Sequence, residues 1–449
     1  MASINTTSSL TLSVITWNLA DITPDPSGIE ELFLPQPDVA SVGTSSDLLI
    51  IGLQEAPHAI SAVVSADHLV DLFGNYLSPK GFICATFNRM SITPGLWGLL
   101  TMIFVKAPLL CYIRGVDSLT TRTGVGGLVG NKGASSVRLV LGRTTLCFVN
   151  CHLVPHSENN SKRVQEIKYI MEAQYFERSV TSHFTLGMHM SGHDIVFLFG
   201  DLNFRLEGRT FDEVHSVLTD SSEPDIDKLL KLDQLQLEQV KGADSESHLH
   251  DFIEAPITFI PSFKFEPNTD EYSRNRPPAW CDRILWRVHK KCLPKANDPN
   301  PVNLLRHIDY NLHKLPRISD HKAVSATFQL NINLESLIPN VIFHLSEWQI
   351  GYDANIMFDV MKGTVISFLP WDWIGLYPQN FSHIQKDYIT YVYSPVRHGR
   401  LSEQQTFKVR MPGNTLPKSS GFYRLAYISR SQNCVLGMSP LFYIRPYVD

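Results

Sequence analysis

Two polar residues, Asp201 and Asn203, follow the apolar run Ile195–Leu198 in the stretch FGDLNFRL. A run of this length, rich in bulky and β-branched residues, predicts a strand that is buried on both faces. In extended chain, residues two apart point to the same side, so we expect Asp201 and Asn203 to face one cavity and Leu202 to point into the core. The alternative is that Gly-Asp-Leu-Asn is only a turn that closes the strand.

The same pattern recurs, because other apolar segments of the first 330 residues also carry polar side chains at one end. These side chains are Asn18, Glu55, His152, Asp282, Asp320 and His321. Each has a simpler explanation when taken alone: Glu55 could begin a helix, and a lone histidine such as His152 is usually a hydrogen-bonded core residue. Since ligands of sheet proteins gather outside strand ends, we interpret the set as one functional site.

Three of these residues, Asn18, Glu55 and Asp320, are hard oxygen donors, and no cluster of Cys or His accompanies them. Oxygen ligands of this kind favour Mg²⁺ over Zn²⁺, and Mg²⁺ usually keeps positions for water and phosphate oxygens. The residue types therefore predict a magnesium site that handles a phosphate.

The remaining side chains fit a hydrolytic role beside that metal. Asp201 can orient and deprotonate a water molecule, while Asn203, His152 and His321 hold phosphoryl oxygens. A cationic histidine would need a carboxylate partner, for which Asp282 is a candidate. No serine or cysteine lies in a recognisable nucleophile motif. We therefore predict metal-assisted phosphoester hydrolysis by direct attack of water.

Composition limits the other classes of function. The formal net charge of −5 gives no indication of a protein that coats nucleic acid. The seven cysteines show no CxxC spacing, which fits a reducing compartment, most simply the cytoplasm. No segment has the pattern of a signal peptide or a transmembrane helix. We expect a cytoplasmic protein that is recruited peripherally to a membrane, either the endoplasmic reticulum or the plasma membrane.

The distribution of elements predicts two domains. Strand-like and helix-like segments alternate through about residue 330. Helical spacing occurs in two sets of residues: Val164, Ile167, Met171, Phe176 and Val180, and then Ile226, Leu229, Leu230, Leu237 and Val240. After about residue 335 helical periodicity largely disappears and aromatic β-type stretches dominate. We place an α/β domain at residues 8–333 and an all-β sandwich at residues 338–449.

The motifs FGDLNFRL and RPPAWCDRIL resemble the two signature motifs of the inositol polyphosphate 5-phosphatases, and TWN, LQE, GNKG, NCHL and SDHK follow the same family in the same order. The resemblance covers about residues 10–332. It implies the four-layer α/β sandwich of the deoxyribonuclease-like endonuclease/exonuclease/phosphatase fold. It also implies Mg²⁺-dependent removal of the 5-phosphate from phosphoinositides.

The family pattern also implies individual roles. It makes Glu55 the metal ligand with Asn18 nearby and Asp320 beside the metal and water. It makes Asp201 the activator of water, puts Asn203, His152 and His321 on the scissile phosphate, and makes Asp282 the carboxylate that orients the histidine. Further substrate-binding residues implied by matching motifs are Lys264, Arg274, Arg276, Asn131 and Lys132.

Position 263 departs from the family, because Phe263 occupies a place where the family usually has tyrosine. The missing phenol would donate to the ring 4-phosphate, so we expect a change in affinity or selectivity and not in the hydrolytic step. The sequence does not rank bisphosphate against trisphosphate lipids, or lipids against soluble inositol phosphates.

The C-terminal region, with PWDWIGLY and GMSP, resembles a SKICH domain, an immunoglobulin-like β-sandwich used for targeting. This resemblance implies an unidentified protein partner. Closer to the phosphatase site, the apolar loop residues Val125, Leu128 and Val129 are unusual for an exposed turn, and we expect them to face the lipid membrane. The alternative is that they form a small satellite core.

Two other functions use the same residues. A nuclease of this fold would cleave nucleic-acid phosphodiesters, but PPAWCDR and the Lys264, Arg274 and Arg276 cluster argue against a nucleic-acid partner. A catalytically weak scaffold is the second alternative, although every expected catalytic position is filled.

Overall fold

The computed structural model describes residues 8–34, 45–57, 67–90, 98–124, 129–177, 188–219, 224–242, 248–294, 303–332, 339–361, 371–396 and 403–447. Among these residues, none of the helices combines the length and the apolar composition that a membrane span requires.

The N-terminal domain consists of strands with a few short helices. Its strands are β1 (Ser8–Asn18), β2 (Leu48–Ala56), β3 (Phe82–Met90), β4 (Gly98–Lys106), β5 (Ile113–Thr123), β6 (Val129–Leu141), β7 (Thr144–His152), β8 (Tyr175–Phe176), β9 (Met188–His189), β10 (Ile195–Asp201), β11 (Ile253–Glu254), β12 (Asp282–Val288), β13 (Leu305–Leu312) and β14 (Val324–Ile332). Its helices in the described ranges are α1 (Pro26–Leu32), α2 (Asp67–Leu77), α3 (Asn160–Ala173), α4 (Phe211–Thr219), α5 (Ile226–Leu230) and α6 (Gln234–Val240).

These elements form four layers. One six-stranded sheet has the order β13-β14-β1-β2-β4-β3 and the other has the order β11-β12-β10-β7-β6-β5. Apolar side chains from both sheets fill the space between them, including Phe148 and Phe197, whose rings stack at 5.3 Å. Helices α1 and α2 pack on the outer face of the first sheet, and α3 packs on the outer face of the second. The predicted four-layer α/β sandwich is confirmed.

Strand direction explains why the polar strand ends meet. Strand β1 runs parallel to β2, and β7 runs parallel to β10, so the carboxyl ends of each pair lie together. Strands β12 and β14 are antiparallel to their neighbours and therefore begin at the same end. The strand register places three site residues side by side, because Asp201 pairs with His152 on one neighbouring strand and with Asp282 on the other.

The helical segment expected around residues 226–240 is interrupted. Helix α5 ends at Leu230 and α6 begins at Gln234, because the side chain of Asp233 accepts the backbone N–H of Gln236 as a helix cap. Val240 is 85% exposed, so the apolar spacing does not continue as one buried face.

The C-terminal domain is composed of β-strands in the residues that the structure describes. They are β15 (Val341–His344), β16 (Trp348–Gln349), β17 (Ala354–Val360), β18 (Trp373–Pro378), β19 (Thr390–Tyr393), β20 (Gln405–Met411), β21 (Gly421–Ser429), β22 (Cys434–Met438) and β23 (Phe442–Arg445). One sheet has the order β15-β17-β20, and the other has the order β16-β23-β21-β18-β19, with β22 also paired to β21. Residues 333–338 lie outside the described ranges, so the domain bounds 8–333 and 338–449 stay a prediction.

Candidate active site

A cavity of about 480 Å³ opens where the polar strand ends of the two large sheets meet. Asn18 and Asp282 are buried directly behind its wall, at 1% and 0% exposure. The predicted site residues that line the cavity are Glu55, Lys132, His152, Asp201, Asn203, Lys264, Arg276, Asp320 and His321. Residues chosen for their strand-end position and residues implied only by the family motifs (Lys132, Lys264 and Arg276) therefore share one space.

Asp201 lies at the centre of the site and is 2% exposed. Its Oδ2 accepts a hydrogen bond from Asn18 Nδ2 at 2.9 Å and lies 3.3 Å from His152 Nε2 and 3.9 Å from His321 Nε2. Burial by itself would raise the pKa of Asp201, but His152, His321 and Lys132 together hold that pKa well below its usual range. Asp201 is therefore an ionised hydrogen-bond acceptor.

Gly200, the residue before Asp201, lies where the structure has no room for a side chain. Gly200 has φ +132°, and a Cβ placed there would lie 2.0 Å from the carbonyl oxygen of Cys151 on the neighbouring strand. Only glycine allows this close approach between β7 and β10. The approach brings Asp201 beside His152.

Asn203 reaches the same cavity by a turn and not by continued extension. Its φ is +57°, in the left-handed region, so the expectation based on extended geometry is wrong for this residue. Its backbone N–H donates to Asp201 Oδ1 at 3.1 Å, and its Nδ2 donates to the carbonyl of Leu153 at 3.0 Å. Leu202 is fully buried in the core, as predicted. Both the strand end and the turn are thus part of the site.

His321 is held by Asp282. Its Nδ1 lies 2.9 Å from Asp282 Oδ2, and the same oxygen accepts from Ser262 Oγ at 2.7 Å. Burial would lower the pKa of His321, but the carboxylate of Asp282 and then that of Asp201 raise it to about 9. His321 is therefore an imidazolium at neutral pH, with Nε2 directed toward Asp201.

His152, in contrast to His321, favours the neutral form. Burial, and after it the ammonium group of Lys132, lower the pKa of His152. Lys132 Nζ contacts both ring nitrogens, with Nδ1 at 3.3 Å. The two histidines that were expected to act alike on phosphate therefore differ: one is cationic, and the other is neutral with a lysine beside it.

Two carboxylates of the predicted metal set face the cavity. Glu55 is 24% exposed at the side chain and has φ +47°, an uncommon backbone conformation of the kind that clusters at functional sites. Asp320 is 17% exposed and forms an ion pair with Lys264 at 2.8 Å. Both amide atoms of Asn18 are already engaged, since Oδ1 accepts from the Ala20 N–H and Nδ2 donates to Asp201.

A second acidic group, Asp201, Asp282 and His321, also has ligand atoms close enough to surround an ion. The hydrogen bond between Asp282 and His321 and the charge on the imidazolium argue against metal binding there, since a metal needs a neutral imidazole. The hard, partly exposed carboxylates of Glu55 and Asp320 fit Mg²⁺ better.

The basic residues of the predicted substrate site divide into two groups. Lys264 and Arg276 line the cavity. Arg274 instead points toward Asp212, with its Nη1 3.7 Å from the carboxylate, and its side chain is 82% exposed. Asn131 lines an adjoining cavity of about 450 Å³ together with Lys132. The binding roles of all five residues stay predictions, and Arg274 and Asn131 do not line the main cavity.

Arg205 is a cavity residue that the sequence analysis missed. Its guanidinium donates to the Oδ1 of Asn203 and, through Nε, to the Asn203 carbonyl at 3.2 Å. It also covers the ring of Phe263, with Cζ 4.4 Å from the centroid. Its position in the motif FGDLNFRL, two residues after Asn203, is the sequence feature that could have identified Arg205 as part of the site.

The predicted membrane-facing residues cannot be placed. Val125 and Leu128 lie outside the described residues. Val129 is the first residue of β6, but the structure does not describe its side chain.

The comparisons with known proteins agree with this geometry. Residues 15–327 match the model of Endonuclease/Exonuclease/phosphatase family 2, and residues 341–444 match the SKICH domain. Inositol polyphosphate 5-phosphatase K of Mus musculus is 32% identical over 452 residues, covering 97% of this chain and 90% of that protein.

A second relative and one solved structure are similar to the chain. Phosphatidylinositol 4,5-bisphosphate 5-phosphatase A of Rattus norvegicus is 32% identical over 96% of this chain, which spans only 42% of that longer protein. The crystal structure of the inositol polyphosphate 5-phosphatase domain of SPsynaptojanin, in complex with inositol (1,4)-bisphosphate and calcium ion, aligns with a TM-score of 0.58 and 26% identity. It covers 73% of this chain and 86% of that chain. Strand order, site and both domain matches therefore agree: the chain belongs to the inositol polyphosphate 5-phosphatases that carry a SKICH domain.

Proposed function

We propose that the protein hydrolyses the 5-phosphate of phosphoinositides, namely phosphatidylinositol 4,5-bisphosphate and 3,4,5-trisphosphate, by direct attack of water. The observation that carries this proposal is the buried, ionised Asp201 beside the His321 imidazolium, in a cavity that also presents Lys132, Lys264 and Arg276. Soluble inositol polyphosphates offer the same phosphate chemistry and are included as substrates. The names of the relatives support the substrate class.

Each side chain has a defined task in this reaction. Asp201 accepts a hydrogen bond from the attacking water and takes its proton as the bond from water oxygen to phosphorus forms. Because the pKa of Asp201 is low, this transfer occurs late, when attack has made the water acidic. His321 donates a hydrogen bond from Nε2 to the phosphoryl group, and the Lys132 ammonium stabilises the same negative charge. As the bond from phosphorus to the ring oxygen breaks, that oxygen leaves with the bonding electrons and takes a proton from solvent water.

We propose Mg²⁺ as the cofactor, held by Glu55 and Asp320 with Asn18 nearby. The fit is supported by two partly exposed carboxylates that line the same cavity. When bound, Mg²⁺ supplies positive charge that polarises the phosphoryl group. Lys264 contacts Oδ2 of Asp320, so the other oxygen of this carboxylate could bind the metal.

Phosphate release from a short-chain phosphatidylinositol 4,5-bisphosphate tests the proposal. We expect release that requires Mg²⁺ and stops with a chelator, and no cleavage of single-stranded or duplex DNA under the same conditions. Cleavage of DNA would favour the nuclease alternative, and absence of both activities would favour the weak scaffold.

Phe263→Tyr tests whether the missing phenol matters. Phe263 is 8% exposed and lines the cavity, with its ring 4.4 Å from that of His321. One added hydrogen bond to the ring 4-phosphate is worth about 0.5–1.5 kcal/mol, which corresponds to a KM lowered roughly 2- to 12-fold. We expect kcat to be unchanged, and inositol substrates without the 4-phosphate should show no gain. A changed kcat with constant KM would contradict this role.

We propose that the enzyme acts in the cytoplasm and is recruited peripherally to phosphoinositide membranes at the endoplasmic reticulum or plasma membrane. The apolar residues Val125, Leu128 and Val129 would contact lipid, a proposal that rests on sequence. Leu128→Asp should lower activity on phosphoinositide vesicles and leave activity on soluble inositol phosphates unchanged. Equal loss on both substrates would support the satellite-core alternative.

We also propose that the C-terminal domain is an immunoglobulin-like sandwich that binds a protein partner. The ring contact between Phe358 and Tyr427, 5.6 Å apart on strands of its two sheets, supports a packed sandwich.

A further inference from the structure

Two β-bulges lie on neighbouring edges of the N-terminal domain. Strand β3 lies at the edge of the first sheet and β5 at the edge of the second, and each loses its regular register near its beginning. The shift in β3 falls between Cys84 and Thr86, and the shift in β5 falls between Arg114 and Asp117. A bulge turns backbone groups of an edge strand away from their own sheet, so these groups need other partners.

The C-terminal domain supplies the partners at both bulges. The N–H of Cys84 donates to the carbonyl of Ser382 at 2.8 Å, and its carbonyl accepts from the N–H of Ile384 at 3.4 Å, which forms a parallel bridge. At the second bulge, the N–H of Val116 donates to the carbonyl of Gln432 at 3.1 Å. Backbone hydrogen bonds therefore cross between the two domains at two separate strands.

Side chains reinforce the same contact. Arg114 Nη2 donates to Asn340 Oδ1 at 2.6 Å, and its Nη1 donates to the carbonyl of Val435 at 3.1 Å. On helix α2, a Cβ added to Gly74 would lie 3.0 Å from the Cβ of Ser382, so the second domain approaches this helix closely. Apolar side chains from both domains are buried around these bonds, at 7% exposure or less: Leu110, Cys111, Val116, Ile384, Cys434 and Val435.

The contact lies away from the substrate cavity. Cys84 pairs with Phe104 and Ile113 pairs with Leu141, whereas the cavity residue His152 pairs with Gly133 at the opposite end of β6. The C-terminal domain therefore covers sheet edges without closing the active site.

We propose that the SKICH domain has the phosphatase domain of its own chain as a fixed partner. The two domains form one cooperative unit, and a protein bound to the free surface of the SKICH domain is held in a constant orientation to the substrate cavity. This interface does not depend on the proposed catalytic reaction.

Calorimetry of the full chain tests cooperativity. We expect the wild type to unfold in one transition with equal calorimetric and van't Hoff enthalpies. Gly74→Leu, which places a side chain against Ser382, should split this into two transitions. The matched control is Asn75→Leu on the exposed side of the same helix, which should keep one transition. Two transitions in the wild type, or identical behaviour of the two variants, would overturn the proposal.

A cross-link provides a second measurement that does not depend on Gly74→Leu folding. Gly74→Cys combined with Ser382→Cys should form a disulfide under mild oxidation, detected as a reducible pair of tryptic peptides. We expect at least about tenfold more cross-link than with Asn75→Cys and Ser382→Cys, because disulfide formation requires close Cβ atoms. The single variant Ser382→Cys is a control that measures how much disulfide the new cysteine forms with native Cys84. Equal yields in the two pairs would overturn the proposal.

Discussion

Asp201→Asn lowers kcat by about 10²- to 10⁴-fold, the size expected when a positioned group can no longer accept a proton. Asparagine keeps the shape of the side chain and fits the same pocket behind Asn18 and His152. Removing the carboxylate also removes repulsion toward the incoming phosphate, so KM should stay constant or fall. Initial rates on short-chain phosphatidylinositol 4,5-bisphosphate with saturating Mg²⁺ give both values.

The control for this prediction is Asp212→Asn, which changes an exposed aspartate that does not line the cavity. Its kcat and its Tm should both equal those of the wild type. A kcat for Asp201→Asn within a few-fold of the wild type would remove Asp201 from the reaction.

Asp282→Asn is expected to lower kcat at pH 7.5 by about 10- to 100-fold, typical of losing the outer carboxylate partner of a functional histidine. Asp282 does not line the cavity and acts through the ring of His321 at 2.9 Å. Without its negative charge, burial lowers the pKa of His321. The neutral imidazole then lacks the charge that stabilises the phosphoryl oxygens.

The pH profile separates this effect from a structural one. In the wild type the pKa of His321 is raised to about 9, so activity should hold below that pH and fall as pH rises through about 9. The ion pair between His321 and Asp282 contributes to the free energy of unfolding with the same pH dependence. This contribution is complete below the pKa that histidine has in the unfolded chain, and it is lost as pH rises through about 9. In Asp282→Asn the descending limb should move to lower pH. If both proteins lose activity over the same pH range, the charge on His321 does not govern the rate.

The strand ends could be predicted because the signal is local and repeats. Apolar runs define buried strands, and polar residues such as Asp201 and Glu55 at their ends stand out against that background. Parallel pairing then requires those ends to meet, as the cavity confirms.

Other features depend on neighbours that are distant in sequence. Arg205 packs over Phe263 and Arg274 turns toward Asp212, and long side chains of this kind take their direction from tertiary surroundings. The left-handed backbone of Asn203 follows from the turn between β10 and the next segment, which period-two reasoning does not include. The different charge states of His152, which is neutral, and His321, which is cationic, likewise depend on Lys132 and Asp282, contributed by other strands.

The contact between the domains was also invisible in the sequence. The bulges at Cys84 and Val116 interrupt strands whose apolar patterns are otherwise regular. Their hydrogen-bond partners lie about 300 residues later, in a domain recognised by its own motifs. Pairing over such a separation depends on the assembled sheets and not on local residue spacing.

The central claim is that this cavity removes one particular phosphate with the help of Mg²⁺ and water. The most direct measurement is identification of the products after incubating the full chain with phosphatidylinositol 4,5-bisphosphate and Mg²⁺, using chromatography that separates the two monophosphate isomers. The account predicts phosphatidylinositol 4-phosphate and inorganic phosphate in equal amounts, with neither formed in the presence of a chelator. Phosphatidylinositol 5-phosphate as the product, or unchanged turnover without divalent metal, would contradict it.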